Sequence, residues 1–375
     1  MKKNKLKLKF NLNKTIYTIL MFISGMFFSF STQISYLKND YAYLFLPLLI
    51  CSILMLFMVV ALSNPKDIKL NINKPNVILF FISISTFLFS TVISHYDYIN
   101  LRDAFIFYYL LFTAILINVI ILKNNTLLSI YIYGLLSPLL ITIIFSLAES
   151  VSPPISGYYT NPNSLGLISS FSLLCTILLL CEKQNLSVKN LIFNYTLILI
   201  SLLASILSLS RTSIYSSILI LFLFLLIRMR LNILKWFFIS ICLVFICYIL
   251  NDLLLSSLTG IINKTNNNSN LVSGRDIIAA YYWDQINAYG AIFFDNRYPV
   301  DNTYIKLSIK YGYIPVILFL LFILKVSFSS LKKPQLLLSL TLFFLVSTME
   351  TIYFSVPFML LIIFAFKREV KENDT

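Results

Sequence analysis

The residues best suited to chemistry in this chain are four arginines and a few carboxylates standing outside its apolar runs. Arg211, in Leu-Ser-Leu-Ser-Arg-Thr (207–212), separates two long apolar stretches. Arg102 closes a short polar segment, and Arg275 and Arg297 share a long one with Asp276, Asp284, Asp295 and Asp301. A guanidinium presents a planar fork of donors that matches phosphate bidentately, and each charge-assisted contact contributes about 1.5–3 kcal/mol. Arginines converging at a membrane boundary suit a lipid-linked pyrophosphate. Paired instead with Asp276, Asp284 and Asp295, they would make an ordinary solvated loop. Position decides, because a guanidinium at the bilayer centre costs about 2.5–3.5 kcal/mol on insertion scales and much less near an interface.

The elements that must position these groups are membrane helices. The chain is 59% hydrophobic and 12% charged, against roughly 25% charged in soluble domains. Hydropathy predicts an all-α polytopic membrane protein with about twelve spans of about 20 residues. They fall near 15–34, 41–62, 76–93, 104–122, 127–147, 165–181, 191–208, 213–227, 236–255, 303–324, 335–348 and 352–366. This divides the chain into a basic head (1–14), nine spans (15–255), a large loop (256–302), three spans (303–366) and a tail (367–375). The head followed by an apolar run resembles a signal peptide, but no small-x-small cleavage site follows, so it reads as an uncleaved first span.

Charge chooses the orientation. The segments on the side of the termini hold 21 of the 29 Lys and Arg but five of the 15 acidic residues. By the positive-inside rule both termini are cytoplasmic. The net charge of +14 is thus a topology signal and gives no support for a nucleic-acid partner. The five cysteines lie in or beside apolar runs without a CxxC pair, as expected of buried small hydrophobes.

Two outer loops concentrate the polar residues. Segment 256–302 is longer than the roughly 15 residues at which loops are usually functional or disordered. Within it, 273–286 starts at Ser-Gly and carries apolar residues at helical spacing through Trp283 and Ile286, predicting an amphipathic surface helix. Loop 148–164 has turn-fixing Pro153, Pro154 and Pro162. Asn161 and Asn163 either cap the following helix or offer amides to sugar hydroxyls, with Tyr158 and Tyr159 offering ring faces. The lone His95 has no second histidine with which to build a metal site. No phosphate-cradling glycine loop or nucleotide-binding fingerprint occurs among only eight glycines.

In its ordered motifs the chain resembles bacterial O-antigen and capsular repeat-unit polymerases of the Wzy type and their relatives in the O-antigen ligase superfamily. The matching pieces are Gly157-Tyr-Tyr-Thr-Asn-Pro-Asn-Ser-Leu-Gly166, Ser208-Leu-Ser-Arg-Thr-Ser213, Ser273-Gly-Arg275, and Asp301-Asn-Thr-Tyr304 ahead of Tyr311-Gly312. They cover about 150–312.

The resemblance implies a GT-C-like helical membrane glycosyltransferase, without a cofactor or metal, acting on undecaprenyl-pyrophosphate-linked glycans at the outer leaflet. A partner that sets chain length would fit the same setting. Arg211 and Arg275 would hold the donor pyrophosphate. Ligases carry a histidine before the asparagine of the closing motif; here the position is Asp301, which favours a polymerase. Asp301 would then be the base, with Arg297 and Tyr304 on its helical face, although Asp295 could serve instead and Asp301 could simply cap a helix. Arg102, Arg297, Asn161, Asn163, Asn302 and Tyr304 are the expected substrate contacts. A lipid-linked oligosaccharide flippase has similar bulk composition, but it would place ionisable residues near the midplane of several spans. Few occur here.

Overall fold

Apolar runs of this length have one way to satisfy their backbone in lipid, which is to form helices. The fold, taken from a computed structural model, is described for residues 2–38, 41–62, 72–93, 98–121, 126–149, 152–182, 188–228, 286–288, 302–331, 333–350 and 354–367. Among these the helices are α1 (Lys2–Gln33), α2 (Phe45–Ala61), α3 (Lys74–Ile93), α4 (Tyr98–Ile121), α5 (Thr126–Glu149) and α6 (Pro162–Glu182). They continue as α7 (Val188–Leu207), α8 (Arg211–Arg228), α9 (Thr303–Tyr311), α10 (Tyr313–Ser330), α11 (Pro334–Met349) and α12 (Val356–Phe366).

Among the described residues, six segments are long and apolar enough to cross a membrane: Thr15–Gln33, α3, α5, α6, Asn190–Leu207 and α10. Five shorter apolar helices accompany them. The protein is therefore an all-helical, multi-pass membrane protein. The basic head is itself helical, since α1 begins at Lys2. It contains neither proline nor glycine, the two residues that would interrupt it.

α6 is the axis of the bundle. Its membrane window is 94% buried within the protein, and it packs against α5, α7, α8 and α11. A membrane helix carrying Gly166, Ser169, Ser170, Ser172 and Thr176 belongs in such a position, since small residues let neighbours close up and hydroxyls need protein partners. Every residue of α12 is buried as well.

Loop contacts sort the helix ends into two groups. At one end Ile72 bridges Lys367, Asn76 Nδ2 donates to Ala365 O at 2.8 Å, Lys333 Nζ donates to Lys367 O at 2.7 Å, and Lys367 pairs with Glu182 at 3.9 Å. At the other end Leu37 bridges Tyr159, and the turn preceding Arg211 joins the same cluster through Ile155 N–H to Leu207 O at 3.0 Å.

The expected span 303–324 is not one helix. Gly312, at φ 86° and ψ 170°, breaks it into α9 and α10. Both ends of α9 sit at the Arg211 end of the bundle. Asn302 Nδ2 donates to Thr348 O at the end of α11, and Tyr311 O accepts from Ser90 Oγ near the end of α3. α9 therefore lies across the bundle end, and the crossing segment is Tyr313–Ser330. The N–H groups that open α10 meet the segment 286–288: Tyr313 N donates to Asn287 O at 3.0 Å and Ile314 N to Ala288 O at 3.3 Å. The expected ninth span, the proposed surface helix at 273–286 up to Gln285, and Arg275, Arg297, Asp295 and Asp301 lie outside the described residues.

Candidate functional site

Arg211 is the first residue of α8. A cation there opposes the helix dipole, whose positive end carries about +0.5 charge, so helix stability does not explain it. What the placement does is add a guanidinium to the outward-pointing N–H groups of a first turn, which is a setting for an anion. Arg211 is half-buried.

The three-residue turn 208–210 that links α7 to α8 holds it there. Leu209 is buried in the left-handed region at φ 52°, a costly conformation for a branched apolar side chain. Ser208 Oγ donates to Ser205 O at 2.7 Å and accepts from Ser210 N at 3.2 Å. One turn down, Ser213 bonds Ser205, donates to Gly166 O at 2.5 Å and meets Ser170 at 2.9 Å. Ser170 also lies 3.1 Å from Ser217. These hydroxyls satisfy one another where lipid offers no partners, and their small size lets the helices close up.

Gly166 is the tightest point of this contact. A Cβ there would lie 2.7 Å from Ser208 Oγ, 2.7 Å from Ser210 Cβ and 2.9 Å from Ser213 Cβ. Gly166, the last residue of the motif 157–166, is thus packed against the motif 208–213. Their common product is a fixed position for Arg211.

A second unit of the site adjoins α8 through α11, which packs on both α8 and α9. Asn302 caps α9, with Oδ1 accepting from Tyr304 N at 2.9 Å and Ile305 N at 3.0 Å. The cap of this helix is therefore Asn302 and not Asp301. Its amide is committed to the cap and to Thr348 O at 2.8 Å, so the expected substrate contact is a structural clip. Thr303 Oγ1 adds a bond to Glu350 O at 2.7 Å. Tyr304 accepts from Ser347 Oγ at 2.8 Å, and burial pushes its phenol upward. Replacing Asn302 by Ala is expected to cost about 1–2 kcal/mol from the cap and the orphaned Thr348 carbonyl. Asn302→Asp keeps the cap and loses the clip. Thermal midpoints of the purified variants, with limited proteolysis around 302–311, check this.

Below Tyr304 an apolar groove of about 660 Å³ runs between α8, α10 and α11, lined by Leu219, Ile317, Leu320, Leu324, Phe344 and Leu345 among others. Its Phe344 ring lies 6.5 Å from that of Tyr304. The groove has the chemistry to seat a hydrocarbon chain.

The other expected contacts fall elsewhere. Asn161 caps α6, its Oδ1 accepting from Ser164 N at 2.8 Å, while Asn163 is exposed. Tyr159 offers no ring face: it is fully buried, its hydroxyl bonded to Gln33 and Thr142. Burial raises its phenol, and burial with the facing Glu350 carboxylate does the same for Tyr36. Arg102 is exposed on the second turn of α4, which packs on α2, α3, α5 and α12, whereas α8 packs on α6, α7 and α11. The structure thus places Arg211 on α8 and Asn302 and Tyr304 at the start of α9, with α11 packed against both, while Arg102 stands on α4, which meets α9 through α3. Among the described residues no cluster of His, Cys, Asp and Glu could hold a metal ion. No protein-family model matches the chain, and no curated protein matches its sequence.

Proposed function

We propose that the chain is a membrane glycosyltransferase that joins undecaprenyl-pyrophosphate-linked repeat units into a surface polysaccharide, O-antigen or capsule. It acts at the outer leaflet of a bacterial cytoplasmic membrane, with about twelve spans and both termini in the cytoplasm. The observation that carries this reading is Arg211, set against the helix dipole at the head of α8 by the packing of two motif segments. The apolar groove between α8 and α11 supports it, since a prenyl chain needs such a seat beside its pyrophosphate.

In the reaction, a hydroxyl of the terminal sugar on the incoming unit attacks the anomeric carbon of the growing glycan. The bond from that carbon to the pyrophosphate oxygen breaks, and undecaprenyl pyrophosphate leaves. Its charge develops on phosphate oxygens, where preorganised cations stabilise the transition state most. Arg211 and Arg275 supply them without a metal. A carboxylate, Asp301 or Asp295, takes the hydroxyl proton.

The test is deletion of the gene from a cell whose surface polysaccharide depends on it. Single lipid-linked units are expected to accumulate on the outer leaflet while long polymer disappears. Long polymer still on the carrier, but missing from its final anchor, would identify a ligase instead. Single units confined to the cytoplasmic leaflet would identify a flippase.

A further inference from the structure

We propose that a cleft at the Arg211 end, distinct from the head of α8, binds a saccharide unit of the lipid-linked glycan; this rests on the polymerase reading above. The cleft has a volume of about 440 Å³ and is lined by Lys38, Tyr41, Thr142, Phe145, Glu149 and Tyr158 among others. That volume lies within the ~300–1,000 Å³ typical of small-ligand sites, enough for a short saccharide and too little for a polymer.

Its chemistry fits a sugar ring. Phe145 and Tyr158 are 58% and 47% exposed, and their rings meet edge to face at 6.4 Å. A pyranose presents an apolar C–H face, which a rigid aromatic surface covers at little entropic cost. Its hydroxyls both donate and accept. Exposed Lys38, a donor only, and exposed Glu149, an acceptor only, stand among the lining residues to meet them.

The cleft is built in advance. Tyr158 N donates to Ser146 Oγ at 3.2 Å, and Tyr158 O accepts from Lys38 N at 3.0 Å. Thr142, on the floor, is locked with Gln33 and Tyr159 into one polar group. A zwitterionic phospholipid headgroup could also meet a lysine and a glutamate. Continuity favours the sugar: the wall carrying Tyr158 belongs to the loop whose Ile155 bonds Leu207, just before Arg211. The same loop thus lines the cleft and bonds the end of α7, next to the turn that leads to Arg211.

The experiment uses the full chain in lipid nanodiscs and, as probe, the repeat-unit oligosaccharide released by mild acid from the lipid carrier of cells lacking the gene. Saturation-transfer NMR reads its binding. Tyr158→Ala and Glu149→Gln are each expected to weaken binding about tenfold, with Tyr158→Phe close to the wild type and thermal midpoints held. Wild-type affinity in both weakened variants would overturn the cleft as the sugar site. So would loss of co-purifying phosphatidylethanolamine, read by native mass spectrometry, with saccharide binding unchanged. No binding by the wild-type chain, while Arg211→Ala still abolishes polymer in cells, would overturn the cleft and leave the polymerase reading standing. If cells lacking the gene accumulate no single units, the polymerase reading falls and the proposal falls with it.

Discussion

Replacing Arg211 by alanine is expected to reduce polymer formation by about 10²–10³-fold, the loss typical of removing one preorganised charge-stabilising donor. Lipid-linked glycan resolved by size, at matched protein abundance, reads the effect: single units accumulate and the ladder collapses. Arg211→Lys is expected to recover only a small part of the activity. The ammonium keeps the charge but loses the planar fork that grips two phosphate oxygens at once. The helix dipole opposes neither change, because a cation at the head of α8 stands against its positive end. Equal thermal midpoints for wild type and variant would separate lost chemistry from lost structure. An unchanged ladder in Arg211→Ala would remove Arg211 from the mechanism.

The second large effect is expected at Gly166, which touches no substrate in this scheme. A methyl group there falls under 3.0 Å from three atoms of the 208–213 segment, two of them Cβ atoms near the backbone. The turn bearing Arg211 must then move away from α6. Overpacking of this kind costs about 1–3 kcal/mol, and an ångström of misplacement can cost about 10²-fold in rate. Gly166→Ala is expected to lower activity strongly with a modest loss of stability, and Gly166→Leu to abolish it. Adding Ser210→Gly to Gly166→Ala removes one of the clashing atoms and is expected to restore part of the ladder. Failure of Gly166→Ala to alter ladder or stability would show that the α6 contact does not hold Arg211.

Most helices were legible in the sequence because their signal is local. An apolar run bounded by polar residues must span or bury, and α1–α8, α11 and α12 fall where hydropathy expects them. The exception at 303–324 is equally physical. Lys306 and Lys310 lie four apart, one turn of a helix, ahead of Gly312. That pattern makes an amphipathic helix ending at a glycine, which a hydropathy average merges with the apolar run behind it.

The site was legible in part. Arg211 stood out because a lone charge among apolar residues is conspicuous. What fixes it was not legible, because the partner of Gly166 lies about 40 residues away and only packing pairs them. Asn161 reads equally as a cap or as a sugar ligand, and its bond to Ser164 N is that of a cap; Asn302 reads as a substrate contact beside a capping Asp301, and its own bonds are those of the cap. Tyr159 looked like its neighbour Tyr158, yet one points into the Gln33–Thr142 group and the other into the open cleft. Lys38 and Tyr41 lie between α1 and α2 while Glu149 ends α5, so only packing brings them together beside Tyr158.

The most direct measurement is polymerisation by the purified chain, reconstituted in proteoliposomes with lipid-linked repeat units as the only substrate and with EDTA present. The expected result is a ladder of lengthened, still lipid-linked glycan from the wild type, with Arg211→Ala yielding single units alone. No lengthening by the wild-type protein, or an equal ladder from Arg211→Ala, would contradict a glycan polymerase centred on Arg211.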